Sequence, residues 1–144
     1  MNNIEIKTIP HTTHRYPTCG DWLYKRELVR RFSIPKDGYG AKLEDVLHIL
    51  ASELSDERRE ALVMVHELIE ALSCKFAGIG QEAIDKFDMD YEANRKEGDE
   101  SEPGDAADAP YRIQHGIASG VERILAAAWG VDWADYEKEL AALP

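Results

Sequence analysis

Val65-His66-Glu67-Leu68-Ile69-Glu70-Ala71-Leu72 places three ionisable side chains in a stretch that is otherwise apolar. On a helix, His66 and Glu70 fall about 40° apart on one face, with Glu67 on its flank. Around them lie Ala61, Leu62, Val63, Met64, Val65, Leu68, Ile69, Ala71, Leu72 and Phe76. A helix that is apolar all round is a buried one. Buried carboxylates must be paired, protonated or bound to a metal, because an isolated interior charge is too costly. The spacing therefore points to metal chemistry.

His66-Glu67-Leu68-Ile69-Glu70 resembles the H-E-x-x-H motif of the zinc peptidases, with glutamate at the second ligand position. That resemblance implies His66 and Glu70 as ligands and Glu67 as general base. A carboxylate oxygen at i+4 suits zinc foremost, with manganese, iron or magnesium as alternatives. His115 is the candidate third ligand. It stands beside Gly116 and Gly120, with Ala127 continuing that side, and a stripe of small residues would let the His66 helix approach closely. Two histidines and one carboxylate leave room for a water on the ion, and the reaction class would be metal-assisted hydrolysis. Glu122 borders the same stripe and is a further candidate. The competing assignment puts His115 and Glu122 on a solvated face, opposite Ile113, Ile117 and Ile124, with the His66 stripe paired to a neighbouring Arg or Lys.

A second pattern overlays the first. Glu67-x-x-Glu70 followed by Glu82-x-x-Asp85 resembles the all-α nucleoside triphosphate pyrophosphohydrolases of the MazG type, which implies carboxylates holding magnesium against a triphosphate. The β-like N-terminus and the lack of a basic cluster depart from that family. Asp88 lies on one side of the third helix with Asp85 and Glu92, and is an additional ligand if that side meets His66. His11, His14 and His48 lack ligand spacing and read as surface residues. Cys19 and Cys74 have no CxxC partner and read as free thiols.

These residues need elements to position them. Ile4 to Ile9 alternates as a strand, and Asp21 to Lys25 with Glu27 to Ile34 reads as a hairpin closed by Pro35-Lys36-Asp37-Gly38. Leu43, Val46, Leu47 and Leu50 recur at helical spacing over 41–54. Ser55 is the expected N-cap of the His66 helix, which should end near Gly78. Further helices are expected over 81–96, 111–129 and 132–143. The acidic, breaker-rich segment 94–110 reads as a mobile loop. The whole is one α+β domain over 1–144, mainly α: an N-terminal β-hairpin or small antiparallel sheet packed on four to five helices.

With 28 acidic and 17 basic side chains, the net charge of −11 disfavours direct binding to nucleic acid or anionic membrane. No run approaches a membrane span, and with no export signal the expected location is cytoplasmic. The acidity leaves room for a non-enzymatic role, occupying a host protein's nucleic-acid site, and a homo-oligomer stays open. Finally, Tyr16-Pro-Thr-Cys-Gly-Asp-Trp22, the His66 segment, Phe87-Asp88, Glu102-Pro-Gly-Asp105 and Gly130-Val-Asp-Trp133 together resemble small proteins encoded by bacteriophages and prophages. That resemblance implies a bacterial cytoplasmic setting and carries no activity or substrate.

Overall fold

The computed structural model describes residues 3–31 and 40–144. Three strands, β1 (Ile4–Ile9), β2 (Gly20–Arg31) and β3 (Gly40–Ser52), precede four helices: α1 (Glu57–Ala77), α2 (Gln81–Ala93), α3 (Arg112–Ala128) and α4 (Trp133–Ala141). The fold is α+β and mainly helical, as expected. In the sheet β3 is central, parallel to β1 and antiparallel to β2, so the sheet is mixed. No described helix is long and apolar enough to cross a membrane.

Two N-terminal expectations are corrected. The segment 41–54 is not helix: 41–52 are strand and 53–54 lead out of it. Its leucines fit a helical period, but Val46-Leu47-His48-Ile49-Leu50-Ala51 is also a nearly continuous apolar run, which suits a central strand flanked on both edges. Val46, Leu47, Ile49 and Ala51 are all buried, so both faces of β3 are covered. In turn, the described parts of the two proposed hairpin strands, 21–25 and 27–31, belong to one long strand, β2, whose partner is β3; 32–34 lie outside the described residues. The breaker Pro35 to Gly38 lies outside the described residues.

One sheet face carries Leu47 and Ile49 of β3, with Trp22 and Tyr24 of β2 and Ile4 of β1 beside them. These join Met64, Leu68, Ala71, Leu72 and Cys74 of α1 in the main core. A second cluster joins Ala51, Leu62 and Val63 to Ala126 of α3 and to Val131 and Tyr136 at the C-terminus. Thus α1 is clasped between the sheet and α3. Its N-cap is Asp56, one residue after the expected Ser55, and the Asp56 carboxylate accepts the Arg58 N–H at 2.8 Å. Ser55 is engaged instead by Glu139 of α4. Asp132 caps α4 as expected, accepting the Asp135 N–H.

The side chains of α1 differ sharply in what they contribute. Leu62 is fully buried, whereas Phe76, counted with the apolar stripe in the sequence, is 75% exposed. Denaturant unfolding should therefore show Leu62→Ala costing about 2–5 kcal/mol. Phe76→Ala should stay within about 0.5 kcal/mol of the parent.

Candidate metal centre between α1 and α3

The polar stripe of α1 faces the polar stripe of α3. His66 and Glu70 from α1, and His115 and Glu122 from α3, are all at least nine-tenths buried. Their close approach is possible because Ala118 and Ala126, both buried, fill the rest of the α3 face. Gly116 and Gly120 are not the residues that admit α1; both are exposed on the far side of α3. The solvated-face assignment for His115 and Glu122 is corrected for the same reason. It is the isoleucines that point outward.

Three ligand-type atoms converge. His115 Nδ1 lies 2.9 Å from Glu70 Oε2 and 3.2 Å from His66 Nε2, and His66 Nε2 lies 3.5 Å from Glu70 Oε2. Three tetrahedral ligands of one zinc ion, each about 2.0–2.2 Å from it, are about 3.3–3.6 Å apart. The observed triangle is a few tenths of an ångström tighter than that, so little movement is needed to admit an ion.

Each converging group is held from behind. His66 Nδ1 is 2.8 Å from Glu122 Oε2, and Glu122 Oε1 accepts the Tyr136 hydroxyl at 2.5 Å. Glu70 Oε1 accepts the Trp22 indole N–H at 2.9 Å, leaving Oε2 for the centre. His115 Nε2 has Glu102 Oε2 at 3.0 Å and Asp105 Oδ1 at 3.6 Å. The Glu102 oxygen lies off the line of that ring nitrogen, so the contact is electrostatic attraction and not a formed hydrogen bond. Carboxylates behind ligating histidines fix the ring orientation and raise its basicity, which is a recurrent feature of metal centres.

The segment 94–110 is corrected from a free loop. Its second half forms a 3-10 turn, Pro103–Asp105, that packs on α3 with Gly104 buried. A Cβ on Gly104 would stand 2.3 Å from His115 Cγ, so only glycine lets this turn lie on the imidazole. Gly20 does the same for Glu67, whose Oε1 would be 2.4 Å from a Cβ there. Through this turn Glu102 becomes a further donor: with His66 and His115 it forms a group able to hold an ion, its ligand atoms all within 4.8 Å.

The electrostatics follow from the crowding. Burial pushes the Glu67 carboxyl well above the usual carboxylate range, and the neighbouring charge on Glu70 adds to the push. For Glu70, burial is outweighed by His115, His66 and Trp22, which bring it down to about 2. Burial likewise opposes charge on the histidines, but Glu122 and Glu70 hold His66 well above its ordinary value, and Glu102 and Glu70 raise His115 to about 10. Among the described residues no Lys or Arg pairs with Glu67, Glu70, Glu102 or Glu122. The positive charge this pocket needs comes from the imidazoles or from a bound cation.

The other candidates go elsewhere. Asp88 accepts the Tyr111 hydroxyl at 2.6 Å, with the Tyr16 hydroxyl at 3.5 Å, and does not join the histidines. Asp85 is held by Arg15, which also clamps Asp21, and Glu82 is exposed in the first turn of α2. Glu82 and Asp85 thus do not complete a carboxylate quartet with Glu67 and Glu70. His48 is buried with Glu27 Oε1 at 3.0 Å, and His11 and His14 both meet the buried Ser52 hydroxyl, so these three are not free surface residues. Cys19 and Cys74 are free. Sequence reasoning missed Trp22, Tyr136, Glu102 and Asp105. Only Glu102-Pro103-Gly104, a breaker pair beside an acid, held a local signal.

No match decides the matter. Comparisons with protein-family models, with curated proteins and with solved structures all return none. The functional reading therefore rests on the geometry of this chain.

Two variants test the surroundings of the centre. Gly104→Ala should destabilise the protein by about 1–3 kcal/mol, as overpacking does, because the turn has to leave His115. The second concerns Asp88, which burial raises to about 7 from 3.8 despite the Tyr111 hydrogen bond. A carboxyl whose folded pKa is raised keeps its proton in the fold. Its ionisation therefore weakens the fold as pH climbs from 3.8 through about 7. Asp88→Asn should raise the melting temperature at pH 8 and leave it nearly unchanged at pH 4.

Proposed function

We propose that this chain binds a divalent cation, zinc foremost, through His66 Nε2, Glu70 Oε2 and His115 Nδ1, and uses it as a zincin-like metal-dependent hydrolase. The observation that carries this reading is the converging triangle of 2.9, 3.2 and 3.5 Å, with the outward atom of each group turned to a partner. Hydrogen bonding alone satisfies the triangle poorly. With both imidazoles charged, His66 Nε2 and His115 Nδ1 both present N–H groups to Glu70 Oε2 and stand 3.2 Å apart as two facing donors, whereas a cation would serve all three atoms together.

The donor set, two imidazoles and one carboxylate, fits zinc and leaves a position open. A bound ion there would polarise a substrate carbonyl or phosphoryl group and acidify a water. The chain supplies the rest. Glu67 takes and returns the proton at its carboxylate, and its raised pKa when unpaired suits that exchange. Glu122, anchored by Tyr136, keeps His66 in one tautomer, with its proton on Nδ1 and Nε2 free. Glu102, a half-exposed carboxylate 3.0 Å from His115 Nε2, would stand behind that ring as Glu122 stands behind His66.

Metal analysis of protein purified without chelator or nickel affinity resin should find one zinc per chain. His66→Ala and His115→Ala should abolish it. Glu67→Gln should retain the metal, because Glu67 is assigned to proton transfer and not to coordination. Glu122→Ala should bind zinc about 10–100-fold more weakly, since only the orientation of His66 is lost. Protein that carries no metal and shows no thermal shift with zinc, manganese or magnesium would refute the assignment.

A further inference from the structure

The centre between α1 and α3 is enclosed: His66, Glu70, His115 and Glu122 are each at most 8% exposed. An ion or a substrate reaches it only if part of its cover moves. Much of that cover is fixed. Helices α1 and α3 pack on each other, and Trp22 and Tyr136 behind them are buried in the two apolar clusters. The segment joining α2 to α3 is different. Residues 96–102 are exposed throughout, and in the turn that follows only Gly104 is buried, against the His115 ring. From Lys96 to Asp108 no apolar side chain is larger than proline, so little apolar area holds this segment down.

What holds it is polar and comes largely from one residue. The Arg95 guanidinium donates to the Asp99 and Ser101 carbonyls at 2.6 and 2.8 Å. Both carboxylate oxygens of Glu92 anchor that guanidinium to α2, at 2.6 and 2.8 Å. The Tyr91 hydroxyl meets Ser101 Oγ at 2.5 Å. Gly98 turns the segment with φ +80°, a conformation that a residue with a Cβ resists.

We propose that residues 96–106 form a strap that opens to admit a cation and a substrate to the centre, with Arg95 as its latch. The strap's purpose rests on the proposed metal reading; its motion does not. Hydrogen bonds at the surface are made and broken without disturbing the core, whereas moving α1 or α3 would expose it. The far end is pinned, since Ala109 and Tyr111 are buried and the Tyr111 hydroxyl donates to Asp88. Opening therefore lifts the middle of the strap. Glu102 and Gly104 leave His115 together and uncover its Nε2, which has no hydrogen bond to lose. Closing returns both residues to the ring and shuts water out of the centre.

Amide hydrogen exchange of the full chain, kept metal-free, tests the motion. The Asp105 and Ala106 N–H groups, bonded to the Glu102 and Pro103 carbonyls at 3.1 Å, report on the turn. In the parent they should exchange by local opening, at rates that low urea concentrations leave unchanged, while buried α1 amides follow global unfolding. Arg95→Ala should speed exchange at Asp105 and Ala106 at least about tenfold, because hydrogen bonds to a charged group are lost. Gly98→Ala should speed it about fivefold by straining the left-handed turn. Neither variant should alter exchange in α1. With zinc added, Arg95→Ala should raise the rates of uptake and release together and leave the affinity nearly unchanged, as loss of a gate does. Exchange at Asp105 and Ala106 that tracks α1, or that both variants leave unchanged, would overturn the strap. A parent whose strap opens in this way yet takes up no zinc would contradict the metal assignment and retain the strap.

Discussion

Everything in this protein is arranged around a buried meeting of unlike polar groups: two histidines and two glutamates shared between α1 and α3. Interior charges of this kind are tolerated only when each is matched, and here each is matched twice. Glu122 and Tyr136 stand behind His66, Trp22 behind Glu70, and the Pro103–Asp105 turn behind His115. These supports come from β2, the loop before α3, α3 itself and α4. The sheet, the loop and the C-terminal helix therefore all hold the same centre in place. Removing one partner would leave another group buried without its match, which is why the cluster constrains the rest of the fold more than any apolar contact does.

The composition of the cluster also differs from that of a lysine- or arginine-based ion-pair network: among the described residues no such side chain pairs with its glutamates. His66 Nδ1, Glu70 Oε1 and Glu122 Oε1 are hydrogen-bonded from behind, His115 Nε2 has the electrostatic contact with Glu102, and the inward atoms lie 2.9–3.5 Å apart around one point. The glycines show how closely the surroundings are fitted, since Gly20 and Gly104 let backbone touch Glu67 and His115 directly. Second-layer partners and close backbone are what hold a set of ligands in one geometry before the ligand arrives.

Part of this was legible in the sequence for definite reasons. The His66 stripe announced itself because charged residues inside an apolar helix need a partner, whereas His115 was reached through Gly116 and Gly120, which turn out to lie on the opposite, exposed side of α3. The end of α1 at Gly78 and the cap of α4 at Asp132 followed from local chemistry, and the N-cap of α1 fell at Asp56, one residue past the expected Ser55. Two features ran against local pattern. β3 was hidden because Leu43, Val46, Leu47 and Leu50 satisfy a helical period as well as a central strand does. The orientation of α3 was hidden because amphipathicity argues for isoleucines inside, whereas the inner face is filled by Ala118, Ala126 and the pairing of His115 and Glu122 with α1. Trp22, Tyr136 and Glu102 come from distant elements, and nothing around them in the chain marks them as belonging to His66.

Diffraction from crystals grown with zinc, recorded on both sides of the zinc absorption edge, tests the central claim most directly. The account predicts one strong anomalous peak per chain, bounded by His66 Nε2, Glu70 Oε2 and His115 Nδ1, with the Glu122 and Trp22 hydrogen bonds retained behind it. A zinc-saturated crystal with no peak at that point, and with the histidines still hydrogen-bonded to each other and to Glu70, would contradict it.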